Sequence, residues 1–388
     1  MIHKFVHTFS RAFITLIFIA ASTFAVQAQT YSTQAKQALL LDSDTGTILF
    51  AKNIEEKIPP ASLAKLMTME VVFDALKSGG LKLTDTFFVS ENAWRKGGTS
   101  SGGSTMFAKL NSEIALEDLI RGVIVQSGND ACIIIAEGMA GSEESFAGLM
   151  NEHARRLGLT DTVFRNSTGL PDPDQHVSIR DLAKLARHVI SEYPEYYRYY
   201  NEVEFTWNKI KQRNRNPLLA MKIGADGMKT GYTEASGYAI VGSAIRDGQR
   251  LITVMSGMTS KRQRSEESRK ILDWGFRAFE KINLFEDGEV IGLANVYGGE
   301  TSGVGVSSKG PLSIYLPIGN RDRLKARISY EGPLMPPVEK GQKIATLKVW
   351  VGDTLSQETP LYANETVEKG GLQRQATDAI KELLFGWM

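Results

Sequence analysis

From about residue 285 the periodicity of the chain changes, and this change limits the fold more than any other feature. Before it, helical runs such as ESRKILDWGFRAFEKI (267–282) alternate with short apolar stretches. After it, EVIGLANVY, LSIYLPI, LKARISY and IATLKVWV alternate in polarity or are rich in β-formers, and GG, SKG, GN and EGPLMPP separate them. At 388 residues the chain is longer than one hydrophobic core usually serves. The pattern predicts a mixed helix-and-strand domain over 29–283, a small all-β domain over 284–369 and a terminal helix over 370–388.

The two ends bear on compartment. His3, Lys4 and Arg11 precede the apolar run AFITLIFIAA (12–21), and small residues lead to Val26-Gln27-Ala28. This reads as a secretory signal peptide, residues 1–28, cut after Ala28. Its apolar core is about ten residues, half of the roughly 20 that a bilayer span needs. Cys132 is the only cysteine, so no intrachain disulfide is possible, and within ACIIIAEGMA it reads as a buried, inert thiol. Export without disulfides suits a bacterial cell envelope. At the other end, a 100° step through GLQRQATDAIKELLFGWM puts Leu372, Ala376, Ala379, Ile380, Leu383 and Trp387 on one stripe. Arg374, Asp378, Lys381 and Glu382 fall opposite. Such an end either lies in a membrane surface or docks on its own protein, and it is too short to span.

Between the ends, ALLLD and TILFAKN flank Asp44-Thr45-Gly46 as a hairpin. A helix follows Pro59 and Pro60 and reads as amphipathic. GGTSSGGS (97–104) is a flexible loop, helices are expected over 113–140 and 143–158, and NSTGLPDPDQHV (166–177) is a loop before the helix DLAKLARHVISEY. GMKTGYT, GYAIVGSAI and LITVMSGM read as strands. A net charge of +1 gives no reason to expect nucleic acid. There is no His-Glu-x-x-His, and His153, His176 and His188 stand at spacings that do not suit a metal, so neither a metal site nor a cofactor is expected.

The helix after the prolines carries Ser62 and Lys65 one turn apart. A serine hydroxyl needs a neighbouring base to attack a carbonyl, and residues i and i+3 of a helix share a face. Partial burial lowers the proton affinity of a lysine, which suits it to that task. A lone Ser-x-x-Lys is weak evidence, however, because a solvated helix face would carry the same pair.

Two further patterns fit. Ser127-Gly128-Asn129 stands between the apolar runs IRGVIVQ and DACIIIAEGMA, where polar groups tend to be held at a cleft; Ser90-Glu91-Asn92 has the same pattern without that setting. Lys229-Thr230-Gly231, in DGMKTGYT at what reads as a strand start, suits the grip of a carboxylate on an edge strand, with glycine admitting another backbone.

In this order, Ser62-Leu-Ala-Lys65, Ser127-Gly-Asn129 and Lys229-Thr-Gly231 resemble the three signature motifs of the penicillin-binding proteins and serine β-lactamases. PASLAKLMT, LIRGVIVQSGNDAC, DGMKTGYT, SGYAIV and ILDWGFRAFE are similar to one branch, the low-molecular-mass D-alanyl-D-alanine carboxypeptidases. The resemblance implies an α+β, β-lactamase/transpeptidase-like domain, an antiparallel sheet with helices, ahead of the all-β domain and the amphipathic helix. It implies that Ser62 attacks the carbonyl between the terminal D-alanines of a peptidoglycan stem pentapeptide and that Lys65 takes its proton. Ser127, helped by Lys229, would relay a proton to the leaving D-alanine, and Asn129 would bind the peptide backbone. Lys229 and Thr230 would grip the terminal carboxylate with Arg264, and Arg215 matches an arginine near the same site. The backbone amides of Ser62 and Tyr232 would form the oxyanion hole, with Gly231 between the grip and the hole. Penicillins would acylate the same serine, and the terminal helix would attach the periplasmic protein to the outer face of the inner membrane. The same superfamily also contains D,D-endopeptidases and β-lactamases, and a non-catalytic peptidoglycan-binding module is a further alternative. Tyr232 stands where some members carry histidine, and the 166–177 loop holds Asp172 and Asp174 but no glutamate, which disfavours a fast β-lactamase.

Overall fold

In the computed structural model, which describes residues 31–318 and 324–385, the first element is a hairpin. Strands β1 (Gln37–Asp42) and β2 (Ile48–Lys52) pair antiparallel around the turn expected at Asp44-Thr45-Gly46. The Asp42 carboxylate accepts hydrogen bonds from the Thr45 amide (2.9 Å) and hydroxyl (2.8 Å), and Gly46 takes φ +72°, which costs a glycine little. The expected signal peptide, residues 1–28, lies outside the described residues.

One 3-10 turn, Ala61–Ala64, leads into helix α1 (Lys65–Lys77). The amphipathic reading of this helix does not hold: every residue from Lys65 to Phe73 is buried. It is the central helix of the domain, so its polar residues must be satisfied from within. The Thr68 hydroxyl donates to the Ser167 carbonyl at 2.6 Å. The Glu70 carboxylate accepts from the Tyr193 hydroxyl at 3.4 Å and lies 3.2 Å from His153 Nδ1 and 3.3 Å from His188 Nε2. Burial alone would raise the pKa of Glu70, but the two histidines outweigh it and hold it at about 2.

Strand β3 (Thr86–Phe88), α2 (Glu91–Gly97) and β4 (Glu113–Ala115) follow, with the two strands paired. The helix expected over 113–140 is broken. Its first residues are β4, α3 (Leu116–Arg121) runs into a π turn (Gly122–Gln126), and α4 (Asn129–Ala140) starts afresh. At the break Ser127 has φ +65°, a left-handed backbone that a serine adopts only at some cost. Periodicity cannot show such a break, because both flanks are apolar. Helices α5 (Glu143–Arg156), α6 (Ile179–Glu192) and α7 (Pro194–Tyr197) and the hairpin of β5 (Glu204–Trp207) with β6 (Ile210–Arg213) complete this lobe.

Strands β7 (Ala225–Thr233), β8 (Gly237–Arg246) and β9 (Gln249–Met258) join the first hairpin in an antiparallel sheet of order β2-β1-β9-β8-β7. Alternate side chains leave a strand on opposite faces. Leu39, Leu41, Val241, Ile252 and Val254 enter the core around α1. Ala38, Leu40, Ile240, Leu251 and Met255 pack with Ile271 and Leu272 of α8 (Lys261–Ala278). Covered on both faces, the strands read as nearly unbroken apolar runs, and β7 is left as an edge.

The helix read over 267–282 stops at Ala278, and Phe279–Phe285 is already strand β10. Beyond it come β11 (Gly292–Asn295), β12 (Gly303–Ser307), β13 (Leu312–Pro317), β14 (Leu324–Ser329), β15 (Lys343–Val351) and β16 (Thr354–Ala363). Val304, Val306, Ile314, Leu347, Val349 and Leu361 form a separate core, as the alternating pattern required. The domain meets the first hairpin at Thr47, whose hydroxyl donates to Gln357 Oε1 at 3.0 Å. Helix α9 (Leu372–Phe385) starts against the β domain, where the Asp378 carboxylate accepts from the Gly298 amide at 3.0 Å.

At the junction of α2 with α4 the two backbones approach closely. A Cβ on Gly97 would lie 2.2 Å from the Asp130 amide nitrogen. Gly97→Ala is therefore expected to destabilise the protein by about 3 kcal/mol, the upper end of overpacking costs. The check is the urea midpoint, and an unchanged midpoint would mean that the two helices part freely.

Candidate active site

Ser62 sits in the 3-10 turn ahead of α1, where the helix N-terminus meets the edge strand β7. A Cβ on Gly231 would stand 3.1 Å from Ala61 Cβ and 3.4 Å from the Ser62 amide nitrogen, so glycine lets the strand backbone pass beside the serine. The Ser62 side chain is half-buried and opens to a cleft of about 640 Å³.

Lys65 is 1% exposed, and three groups surround its amine. Nζ donates to Asn129 Oδ1 at 2.8 Å and to the Thr168 carbonyl at 2.7 Å, and it lies 3.1 Å from Ser62 Oγ. No carboxylate is among these contacts. Burial pushes the lysine below its ordinary 10.5, and the positive charge of Arg215 adds to the effect. A neutral amine that donates to two carbonyl oxygens has its lone pair left for the serine hydroxyl. Cys132, fully buried nearby, is pushed up to about 12 by desolvation, in keeping with the inert thiol expected.

The second pair repeats this arrangement. Lys229 on β7 is 2% exposed and donates to Ser127 Oγ at 2.8 Å. Burial drives its pKa well below 10.5, and the charges of Lys65 and Arg215 push in the same direction. The left-handed backbone at Ser127 turns that hydroxyl out of the helical path towards Lys229. Asn129, the first residue of α4, is held by its own amide donating to the Ser104 carbonyl at 2.7 Å.

All the site residues named from the sequence meet here. Ser62, Ser127, Thr230, Gly231, Tyr232, Arg215 and Arg264 line the cleft, while Lys65 stands behind it in contact with Ser62, Lys229 in contact with Ser127, and Asn129 in contact with Lys65. Lys229-Thr230-Gly231 lies in the body of β7 rather than at its start. Sequence reasoning missed Ser104, Tyr238 and Lys261, which also line the cleft, and the Thr168 carbonyl. The loop carrying Thr168 did hold a signal in Asn-Ser-Thr-Gly. Asn166 Oδ1 accepts from the Gly169 amide at 2.7 Å and the Thr168 hydroxyl at 2.8 Å, which shapes a tight turn. Gly169 takes φ +78°, and a Cβ there would run into the Ala61 carbonyl.

The fold and this cleft define a transpeptidase-like serine hydrolase. Residues 22–260 match the family model described as D-alanyl-D-alanine carboxypeptidase (peptidase S11), and residues 279–369 match the penicillin-binding protein 5 C-terminal domain. The D-alanyl-D-alanine carboxypeptidase DacC of Escherichia coli (strain K12) is 40% identical over 96% of this chain and 94% of its own length. DacA of Haemophilus influenzae is also 40% identical, over 84% of this chain and 85% of its own. The crystal structure of penicillin-binding protein 5 from Haemophilus influenzae superposes with a TM-score of 0.73 at 38% identity, covering 87% of this chain and 99% of that one. The chain belongs to the peptidase S11 family of D-alanyl-D-alanine carboxypeptidases.

Two lysines buried without a countercharge have a consequence for stability. The folded protein releases protons that the unfolded chain still binds between the lowered pKa values and 10.5, so stability rises with pH across that window. Lys229→Met is expected to stabilise by about 1–2 kcal/mol at pH 7, with the gain vanishing as pH approaches 10.5. A variant less stable than wild type at pH 7, measured by denaturant unfolding, would show that the Ser127 hydrogen bond outweighs desolvation.

Proposed function

We propose that this protein removes the terminal D-alanine from peptidoglycan stem pentapeptides through an acyl-enzyme on Ser62. The observation that carries this reading is the Lys65 amine, enclosed by Ser62, Asn129 and Thr168 with no acid in contact. Lys65 takes the Ser62 proton as the oxygen attacks the carbonyl of the penultimate D-alanine. Negative charge on that carbonyl oxygen is met by the amides of Ser62 and Tyr232. Ser127, hydrogen-bonded to Lys229, relays that proton from Lys65 to the departing amine, which returns Lys65 to its neutral form as free D-alanine leaves. Lys229 and Thr230, with Arg264, hold its carboxylate, and Asn129 holds the peptide backbone beside the scissile bond. Water activated by Lys65 then hydrolyses the ester and frees the tetrapeptide. Penicillins present a strained amide and a carboxylate in the same relation, so they acylate Ser62.

The chain is exported by residues 1–28, and α9 attaches it at the outer face of the inner membrane. Among the described residues no helix is long and apolar enough to cross a membrane, and Leu372 at the start of α9 is 85% exposed. Surface attachment by an amphipathic helix is consistent with both.

Two measurements test these readings. Full-length protein should be labelled covalently by a fluorescent penicillin and should release D-alanine from diacetyl-L-Lys-D-Ala-D-Ala, and Ser62→Ala should lose both, with turnover down by at least about a thousandfold. Persistent labelling of Ser62→Ala would place the nucleophile elsewhere, and labelling of wild type without release would favour a binding module. A chain ending at Gly370 should move from the membrane pellet to the soluble fraction of cells; if it stays in the pellet, the anchor lies elsewhere.

A further inference from the structure

Arg264 enters the cleft from the first turns of α8 and is 8% exposed. Its Nε is buried without a hydrogen-bond partner, and none of the residues lining the cleft is Asp or Glu. The guanidinium lies over a ring, with Cζ 5.7 Å from the centroid of Tyr238. Tyr238 packs in turn against Tyr232, its cross-strand partner on β7, with centroids 4.4 Å apart and the rings inclined at 34°.

A buried guanidinium is ordinarily held by a carboxylate, because desolvating it alone is costly. An acid at this place would neutralise the charge that a substrate carboxylate has to meet and would compete with the substrate for it. An aromatic face attracts a cation through its quadrupole yet contributes no net negative charge. We propose that Tyr238 is a positioning residue for carboxylate recognition. Its ring holds Arg264 towards the cleft without neutralising it, and Tyr232, packed against it from the neighbouring strand, steadies the ring. The arginine stays charged at neutral pH, since burial, opposed by Tyr238 and aided by the charge of Arg215, lowers its pKa only to about 10. The proposal rests on the carboxypeptidase reading of the cleft and extends it to a residue that needs no contact with the substrate.

The test compares acylation of the full-length protein by benzylpenicillin and by benzylpenicillin methyl ester, which lacks the anion. Tyr238→Leu is expected to lower the ratio of the two second-order rate constants, acid over ester, about tenfold, within the range of a partly desolvated cation–π contact. Tyr238→Phe, which keeps the ring face, is expected to restore it. An unchanged ratio in Tyr238→Leu overturns the proposal, as does equal slowing of both compounds, which marks a merely structural role. Should Tyr238→Leu fail to fold, Tyr238→Met is judged by the same ratio. Wild type that reacts with neither compound at Ser62 would instead defeat the carboxypeptidase reading.

Discussion

The catalytic half of this molecule depends on where one amine is kept. Lys65 lies dry at the start of the central helix, hydrogen-bonded to a side-chain amide from α4 and a loop carbonyl, and it faces a serine. A lysine in that setting cannot hold its proton as it would in water. To create the setting, α1 must be enclosed on every side, the 166–177 loop must bring the Thr168 carbonyl inward, and the α3–α4 helical path must break so that Asn129 begins a new helix. Each of these is a departure from the most regular structure, and each faces the same nitrogen.

The cleft is also notable for the charges it keeps apart. Lys65, Lys229, Arg215 and Arg264 converge with no acid among the lining residues, and burial together with the charge of Lys65 lowers the proton affinity of Lys229. Carboxylates placed here would have neutralised the charge and made a poorer receptor for an anion. Serine hydroxyls, an asparagine amide, a backbone carbonyl and a tyrosine ring take the places that carboxylates fill elsewhere in the structure, as at Glu70 or Asp226. The lysines' proton affinity is thus tuned by desolvation, while Arg264, lowered only to about 10, keeps its charge available to substrate.

Much of this was legible beforehand because it is carried by short, local patterns. The hairpin at Asp44-Thr45-Gly46 and the separate β domain follow from turn chemistry and period, and the three motifs together are legible as a resemblance to the signature of a known family. What was misread shares a cause. The helix after Pro60 looked amphipathic because Lys65, Thr68 and Glu70 are polar, but their partners (Thr168, Ser167, His153) come from far along the chain. The helix expected over 113–140 looked continuous because apolar residues flank Ser127 on both sides, and a single left-handed residue leaves no trace in a periodicity. Tyr238 lies in the run GYAIVGSAI, read only as a strand, and nothing local shows that α8 brings Arg264 over its ring.

By itself the sequence determined which groups exist and which can share a turn: Ser62 with Lys65, Ser127 next to Asn129, Lys229 with a glycine beside it. These are matters of covalent spacing, and they hold in any folded state that keeps the local helix or strand. Only the tertiary structure decided their protonation and their partners. Proton affinity depends on how much water is excluded and on which distant dipoles and charges point inward, and those are set by packing among segments separated by up to about a hundred residues, such as Lys65 with Thr168 and Lys229 with Ser127.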